Sequence, residues 1–162
     1  MNAFLVPKKP DISRLVEAVR ANTSEDTLSR FMPDSAWDVV AEYLSPEKIE
    51  RGHVLIAQGA LDRTLYFVES GILRVHRGHH NAELQLAVLG PGAVVGEGAF
   101  FSHVERSATV QATQPTVLWA LTPRRFDKMS KAHPEAALAL SMALGAVVST
   151  RMLNVARKIS IT

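Results

Sequence analysis

L-G-P-G-A-V-V-G-E-G-A-F-F-S-H-V-E-R-S-A-T-V, residues Leu89 to Val110, is the stretch on which the fold turns. It opens on a Gly90-Pro91-Gly92 turn and then sets Gly96-Glu97 ahead of Arg106-Ser107-Ala108 with eight residues between, the latter beginning a strand-like run to Thr113. A short helical turn starting near Glu97 would aim its free backbone N–H groups at an anion. Arg106 would face the same point with a planar, permanently charged fork suited to phosphate. A carboxylate beside a phosphate is a liability unless it has its own task, and accepting a hydrogen bond from a sugar hydroxyl suits Glu97. The stretch therefore reads as a pocket for a small sugar phosphate.

Outward from this stretch the chain is punctuated into short runs rich in β-branched and apolar residues. They are Val54–Gln58, Thr64–Glu69, Gly71–Arg77, Ala82–Leu89, Arg106–Thr113 and Thr116–Leu121. Arg51-Gly52, Gly59, Ser70-Gly71, Gly78 and Gly90-Pro91-Gly92 separate them as turn signals. Polar and apolar residues alternate in Leu73-Arg74-Val75-His76 and in Glu83-Leu84-Gln85-Leu86, so these runs predict sheets with one buried face. A mainly β centre follows, a sandwich or roll.

Helical patterns flank that centre. Asp11 is expected to cap a helix through Asn22, with Ile12, Leu15, Val16 and Val19 on one side. Thr23 or Ser24 is expected to cap a second, ended near Met32 by Pro33, and Ser35 a third over Ala36–Leu44 before Ser45-Pro46. Beyond Leu121, Thr122-Pro123 predicts a short helix to about Ala132, and His133-Pro134 a longer one to Lys158. The resulting division is an N-terminal helical segment (1–45), a β centre (46–122, with the quoted stretch inside 90–112) and C-terminal helices (123–162).

Composition limits the functions available. The chain has 162 residues, 18 Lys+Arg against 16 Asp+Glu and no cysteine. A net charge of +2 provides no basic field for nucleic acid. Without cysteine there is no disulfide, iron–sulfur ligation or thiol catalysis. MNAFLVPKKPD lacks the apolar core of a signal peptide, and no run suggests a membrane span, so a cytoplasmic, soluble protein is expected. No nucleophile–base set points to an enzyme.

The element order and the motif together resemble the cyclic nucleotide-binding domains of the catabolite activator protein and of protein kinase regulatory subunits. Two stretches carry the likeness: Arg51–Val75, similar to the family's first strands with their glycine turns, and Leu89–Val110, similar to its phosphate-binding cassette. The resemblance covers about residues 28–155. It implies a double-stranded β-helix (jelly-roll) barrel that binds cAMP or cGMP and acts as a ligand-gated switch, with no other cofactor. Arg106 would pair with the cyclic phosphate and Glu97 with the ribose 2′-hydroxyl. Gly96 and the amides of Gly98 and Ala99 would sit at the cassette helix start, and Ser107 would add a contact to phosphate or base. Leu73, Val75, Leu86, Leu89 and Val95 would wall the base and sugar, and the long last helix, with Arg151 at a base-contacting position, would close over them. It also implies a homodimer through that helix and an effector protein that the sequence does not name. No DNA-binding segment is visible after Thr162, so the chain reads as a stand-alone module.

Three features depart from the family pattern. Gly98 replaces a long apolar residue, Ala99-Phe100 replaces an aliphatic pair, and Arg151 replaces a small hydroxyl. Gly98 and Arg151 favour an alternative, a degenerate roll that binds no nucleotide and serves as an interaction or oligomerisation platform. Arg106 has a structural alternative of its own, an ion pair with Glu97 or Glu105. His76, His79, His80 and Glu83 could suggest a metal site of cupin type. Adjacent His79 and His80 point opposite ways on a strand, however, so a polar hairpin tip is expected and no metal.

Overall fold

A computed structural model describes residues 9–79 and 82–160. His80 and the side chain of His79, two of the histidines considered for a metal, lie outside the described residues. Eight strands form two antiparallel four-stranded sheets. The first has the order β1 (Ser45–Ile49), β8 (Thr116–Leu121), β3 (Leu65–Ser70), β6 (Val94–Val95). The second has the order β2 (Val54–Ile56), β7 (Thr109–Ala112), β4 (Leu73–His79), β5 (Ala82–Leu89). Five helices flank them: α1 (Ser13–Ala21), α2 (Asp34–Val40), α3 (Glu97–Ser102), α4 (Pro123–Ala132) and α5 (Pro134–Ile159). This is the jelly-roll with flanking helices that the sequence predicted.

Side-chain alternation explains the two layers of core. In β3 and β8, Tyr66, Val68, Leu118 and Ala120 point into the roll, where they meet Ile56, Leu73, Val95 and Val110. The alternate residues Leu65, Phe67, Trp119 and Leu121 point the other way, against Leu15, Trp37, Leu140 and Leu144 of the helices. The first sheet is thus covered on both faces, which is why L-Y-F-V and V-L-W-A-L read as continuous apolar runs. In the second sheet Leu73, Val110 and Ala112 face into the roll with Val75 packed beside them, whereas Leu84, Leu86 and Val88 of β5 are exposed, so the buried face expected for Glu83–Leu86 is not formed.

Several local expectations are corrected. The second N-terminal helix is a single 3₁₀ turn, Leu28–Arg30, because Asn22 and Thr27 bind the backbone locally: Asn22 accepts from the Ser24 N–H, and Thr27 accepts from the Ser29 N–H. The third helix starts at Asp34, after Pro33 rather than Ser35, and ends in a 3₁₀ turn at Ala41–Tyr43. Ser45-Pro46 does not end ordered structure but opens β1, an edge strand where a missing proline N–H costs nothing. The two-residue β6 was too short to carry a pattern. The strand expected from Arg106 begins only at Thr109, since Arg106 is tied to another loop: its N–H donates to Ala60 and its carbonyl accepts from Gly59.

Helix α4 starts as expected, with the Thr122 hydroxyl accepting from the Arg125 N–H and proline in its first turn. Helix α5 spans 26 residues and by length and composition alone is apolar enough to cross a membrane, contrary to the expectation that no run suggests a span. Leu140, Ala143, Leu144 and Val147 are instead buried against the helices and the first sheet. Its C-terminal half runs past α3 to the mouth of the roll, and this placement builds the site.

Candidate functional site

A cavity of about 470 Å³ opens between the roll, α3 and the end of α5, in the size range of small-molecule sites. Gly96, Glu97, Gly98, Ala99, Arg106, Ser107, Val75, Leu86, Leu89, Val95 and Arg151 all line it. Leu73 does not. It is fully buried inside the roll, paired in register with Leu89 and Ala112, and so acts as core rather than as ligand wall.

Arg106 is 3% exposed and pinned on all sides. Its Nε donates to Asp62 Oδ2 (3.3 Å) and its Nη2 to Asp62 Oδ1 (2.5 Å). Nη2 also donates to the Thr64 carbonyl (2.7 Å), and Nη1 to the Gly96 carbonyl (3.0 Å). A guanidinium has five N–H groups, so this set leaves one Nη1 hydrogen for a ligand. The ion pair is formed with Asp62 rather than with Glu97 or Glu105. Asp62 lies in the loop before β3, 44 residues from Arg106, and no local pattern in the sequence singled it out.

Gly96 makes this geometry possible. Its φ is +91°, and a Cβ there would lie 2.7 Å from the Thr64 carbonyl oxygen and 2.9 Å from Arg106 Nη1. The chain passes from β6 through this left-handed residue straight into α3. Arg63 holds the far end of α3, donating to the carbonyls of Ala99 (3.3 Å) and Phe100 (2.9 Å). Gly98 faces open space, with nothing within 4 Å of a Cβ built on it.

The carboxylate expected to meet a sugar hydroxyl is engaged by the last helix. Arg151 Nη1 donates to Glu97 Oε1 (2.5 Å), its Nε to Asp26 Oδ2 (2.7 Å) and its Nη2 to the Val94 carbonyl (2.9 Å). One side chain therefore joins α5, the cassette helix, β6 and the N-terminal segment. Asp26, 125 residues from Arg151, is a second site residue that sequence reading missed. Ser107 lines the cavity and is exposed, with no hydrogen-bond partner among the described residues. Asn154, Val155 and Lys158 of α5 complete the lining on the helix side. Among the described residues no group of His, Asp or Glu is placed to hold a metal ion.

These ion pairs shift titration. Hydrogen bonding from Arg106, helped by its charge, holds the Asp62 carboxyl below its ordinary value against a smaller effect of burial. For Asp26 burial acts upward, but the hydrogen bond and charge of Arg151 outweigh it and the net shift is downward. A carboxyl with a lowered folded pKa contributes stability above its unfolded value of about 4 and loses it as pH falls through the folded value. Thermal melts are expected to hold level near neutrality and to fall in Tm below about pH 4. Replacing Asp62 with asparagine should flatten that acid limb, and an unchanged limb would contradict the assignment.

The comparisons agree with this geometry. The family profile described as "Cyclic nucleotide-binding domain" matches residues 46–133. The cAMP-dependent protein kinase regulatory subunit of Blastocladiella emersonii is 29% identical over 116 residues, 71% of this chain but only 29% of that protein. The chain thus spans under a third of that relative. The crystal structure of the Thermus thermophilus catabolite activator protein superposes with a TM-score of 0.70 at 28% identity, covering 83% of this chain and 62% of that one. The regulatory domain of the Toxoplasma gondii kinase, crystallised with cAMP, gives 0.61 at 28% identity, over 71% of this chain and 42% of that one. A roll of this topology, a cassette helix entered through Gly96 and a buried arginine opposite it coincide with a matching family profile: the chain belongs to the cyclic nucleotide-binding domain family.

Proposed function

We propose that the chain binds a cyclic purine nucleotide, cAMP or cGMP, in the cavity lined by Arg106 and Glu97, and that binding repositions α5. The observation that carries this reading is the pinned Arg106 guanidinium, buried yet with one N–H still unspent beside the start of α3. An exocyclic phosphate oxygen takes that hydrogen and meets the free amides of Gly98 and Ala99. The ribose 2′-hydroxyl donates to Glu97. Val75, Leu86, Leu89 and Val95 cover the apolar faces of sugar and base.

Arg151 makes the site a switch. In the structure it shares its charge between Glu97 and Asp26. A ribose on Glu97 competes with that pair and shifts Arg151 and its helix. Ligand can move such an equilibrium only by its differential affinity for the two arrangements, typically ~1–3 kcal/mol. The occupied Glu97 also supports the second reading, a roll whose pocket is closed by its own arginine. Titration calorimetry of the full chain with cAMP and cGMP separates the two. Heat with micromolar affinity supports the first reading, and no heat at millimolar ligand establishes the second.

A second copy of the chain is the proposed partner of α5. Leu138, Met142, Gly145, Ser149, Met152 and Ala156 are all exposed. They alternate in steps of four and three, the spacing of a coiled-coil seam. Leu138, Met142 and Met152 are 63%, 67% and 68% exposed, a cost that a partner helix removes. Light scattering after size exclusion is expected to give a dimer for the native chain and a monomer for Met142→Arg. A native monomer at micromolar concentration would refute the seam.

A further inference from the structure

Helix α3 carries Glu97 and the amides of Gly98 and Ala99, and it is only six residues long. Whatever grips its far end therefore helps to place its near end. Two of the grips are internal: the Ser102 hydroxyl donates to the Gly98 carbonyl (2.7 Å), and the His103 N–H to that of Ala99 (3.2 Å). Arg63 supplies the others from the loop before β3. Its Nε donates to the Ala99 carbonyl (3.3 Å) and one Nη2 hydrogen to the Phe100 carbonyl (2.9 Å). The second Nη2 hydrogen meets Nε2 of His103 (2.8 Å). A guanidinium has no acceptor, so this Nε2 is the bare nitrogen of a neutral ring whose proton sits on Nδ1. His103 also ends α3 at φ +60°, the one non-glycine residue at positive φ among the described residues, a conformation that side chains adopt where the surroundings impose it.

We infer that Arg63 is a positioning residue for the nucleotide site and that His103 makes its grip depend on pH. The inference rests on the reading that the cavity takes a cyclic nucleotide, and it adds a regulation of that site. Protonation of His103 places a hydrogen on Nε2, so the contact then holds two donors, no acceptor and two positive charges. Neighbouring carboxylates do not relieve this. Asp62, beside Arg63, is committed to Arg106, and Glu105, two residues beyond His103, is exposed where solvent screens it. Both hydrogens in question belong to Nη2, and the guanidinium is a rigid plane. The fork cannot turn away from His103 without also leaving the Phe100 carbonyl. The far end of α3 then loosens, and the alignment of Glu97 and the Gly98 and Ala99 amides loosens with it. Histidine changes charge between about pH 5 and 8, so nucleotide is held more tightly at neutral pH than in mild acid.

Calorimetry of the full chain with cAMP and cGMP, at about pH 7.5 and about pH 5.5, tests this on the native protein, His103→Asn and Arg63→Met. The native chain should bind ~3- to 10-fold more weakly at the lower pH. Asparagine tolerates the left-handed backbone and offers Nη2 a carbonyl acceptor, but it does not titrate. His103→Asn should therefore bind equally at the two pH values. Arg63→Met should bind ~3- to 10-fold more weakly than the native chain at neutral pH. It should also lose the fall toward acid, because a protonated ring no longer meets a cation. If Arg63→Met does not fold, the asparagine variant still decides the role of His103. A native affinity that is the same at both pH values, or a fall that persists undiminished in either folded variant, overturns that role. Folded Arg63→Met that binds as tightly as the native chain overturns the role of Arg63. Each of these outcomes leaves the cyclic nucleotide reading intact. Native protein that binds neither nucleotide at either pH overturns that reading, and this inference with it.

Discussion

Arg106→Ala is expected to weaken cyclic nucleotide binding by ~10- to 100-fold, the equivalent of a charge-assisted hydrogen bond worth ~1.5–3 kcal/mol. The effect is not confined to that contact. The same guanidinium satisfies the carbonyls of Gly96 and Thr64 and pairs with Asp62, so its loss leaves buried acceptors unpaired at ~1–3 kcal/mol. The variant should accordingly unfold at lower denaturant as well as bind poorly. Lysine is no substitute, because a single ammonium on a flexible stem cannot reach four acceptors in a plane. Calorimetry and urea melts on Ala and Lys variants test both effects together. Binding within twofold of the native chain in the alanine variant would remove Arg106 from the phosphate site.

Gly96→Ala attacks the same guanidinium from the other side. The alanine must adopt φ of +91° with its methyl 2.7 Å from the Thr64 oxygen and 2.9 Å from Arg106 Nη1. Backbone strain alone costs ~1–2 kcal/mol, and relief of the collision requires Arg106 or the β3 backbone to move. Loss of at least ~2 kcal/mol of stability is expected, together with loss of detectable binding. Gly98→Ala, two residues on, is the contrast. A Cβ there meets nothing within 4 Å and sits inside α3. That variant should gain up to ~1 kcal/mol from helix propensity and retain binding. Equal behaviour of the two alanines would mean that backbone geometry at Gly96 does not govern the site.

How much of this was legible depends on how far each interaction reaches along the chain. The alternation in β4, the cap at Thr122, the glycine turns and the spacing from Glu97 to Arg106 are local signals, and each is found in the structure. Short or mixed segments misled. A proline that looked like a terminator opens an edge strand, and an Asn-Thr-Ser-Glu-Asp stretch that looked like a helix start folds into local side-chain turns. Leu73 was misassigned because a strand pattern tells which residues share a face, but not where along that face the core ends and the cavity begins.

Local signals along the chain were enough to read a roll with a cassette, and to pick out Arg106 and Glu97, which line one cavity. Periodicity, turn chemistry and a dense motif all act within a few residues. What holds those two side chains came from the folded arrangement alone. Asp62 reaches Arg106 across 44 residues, Arg151 reaches Glu97 across 54 and Asp26 across 125. Charges pair by proximity in space, and no repeat or spacing along a chain encodes a partner that the fold alone brings within 3 Å.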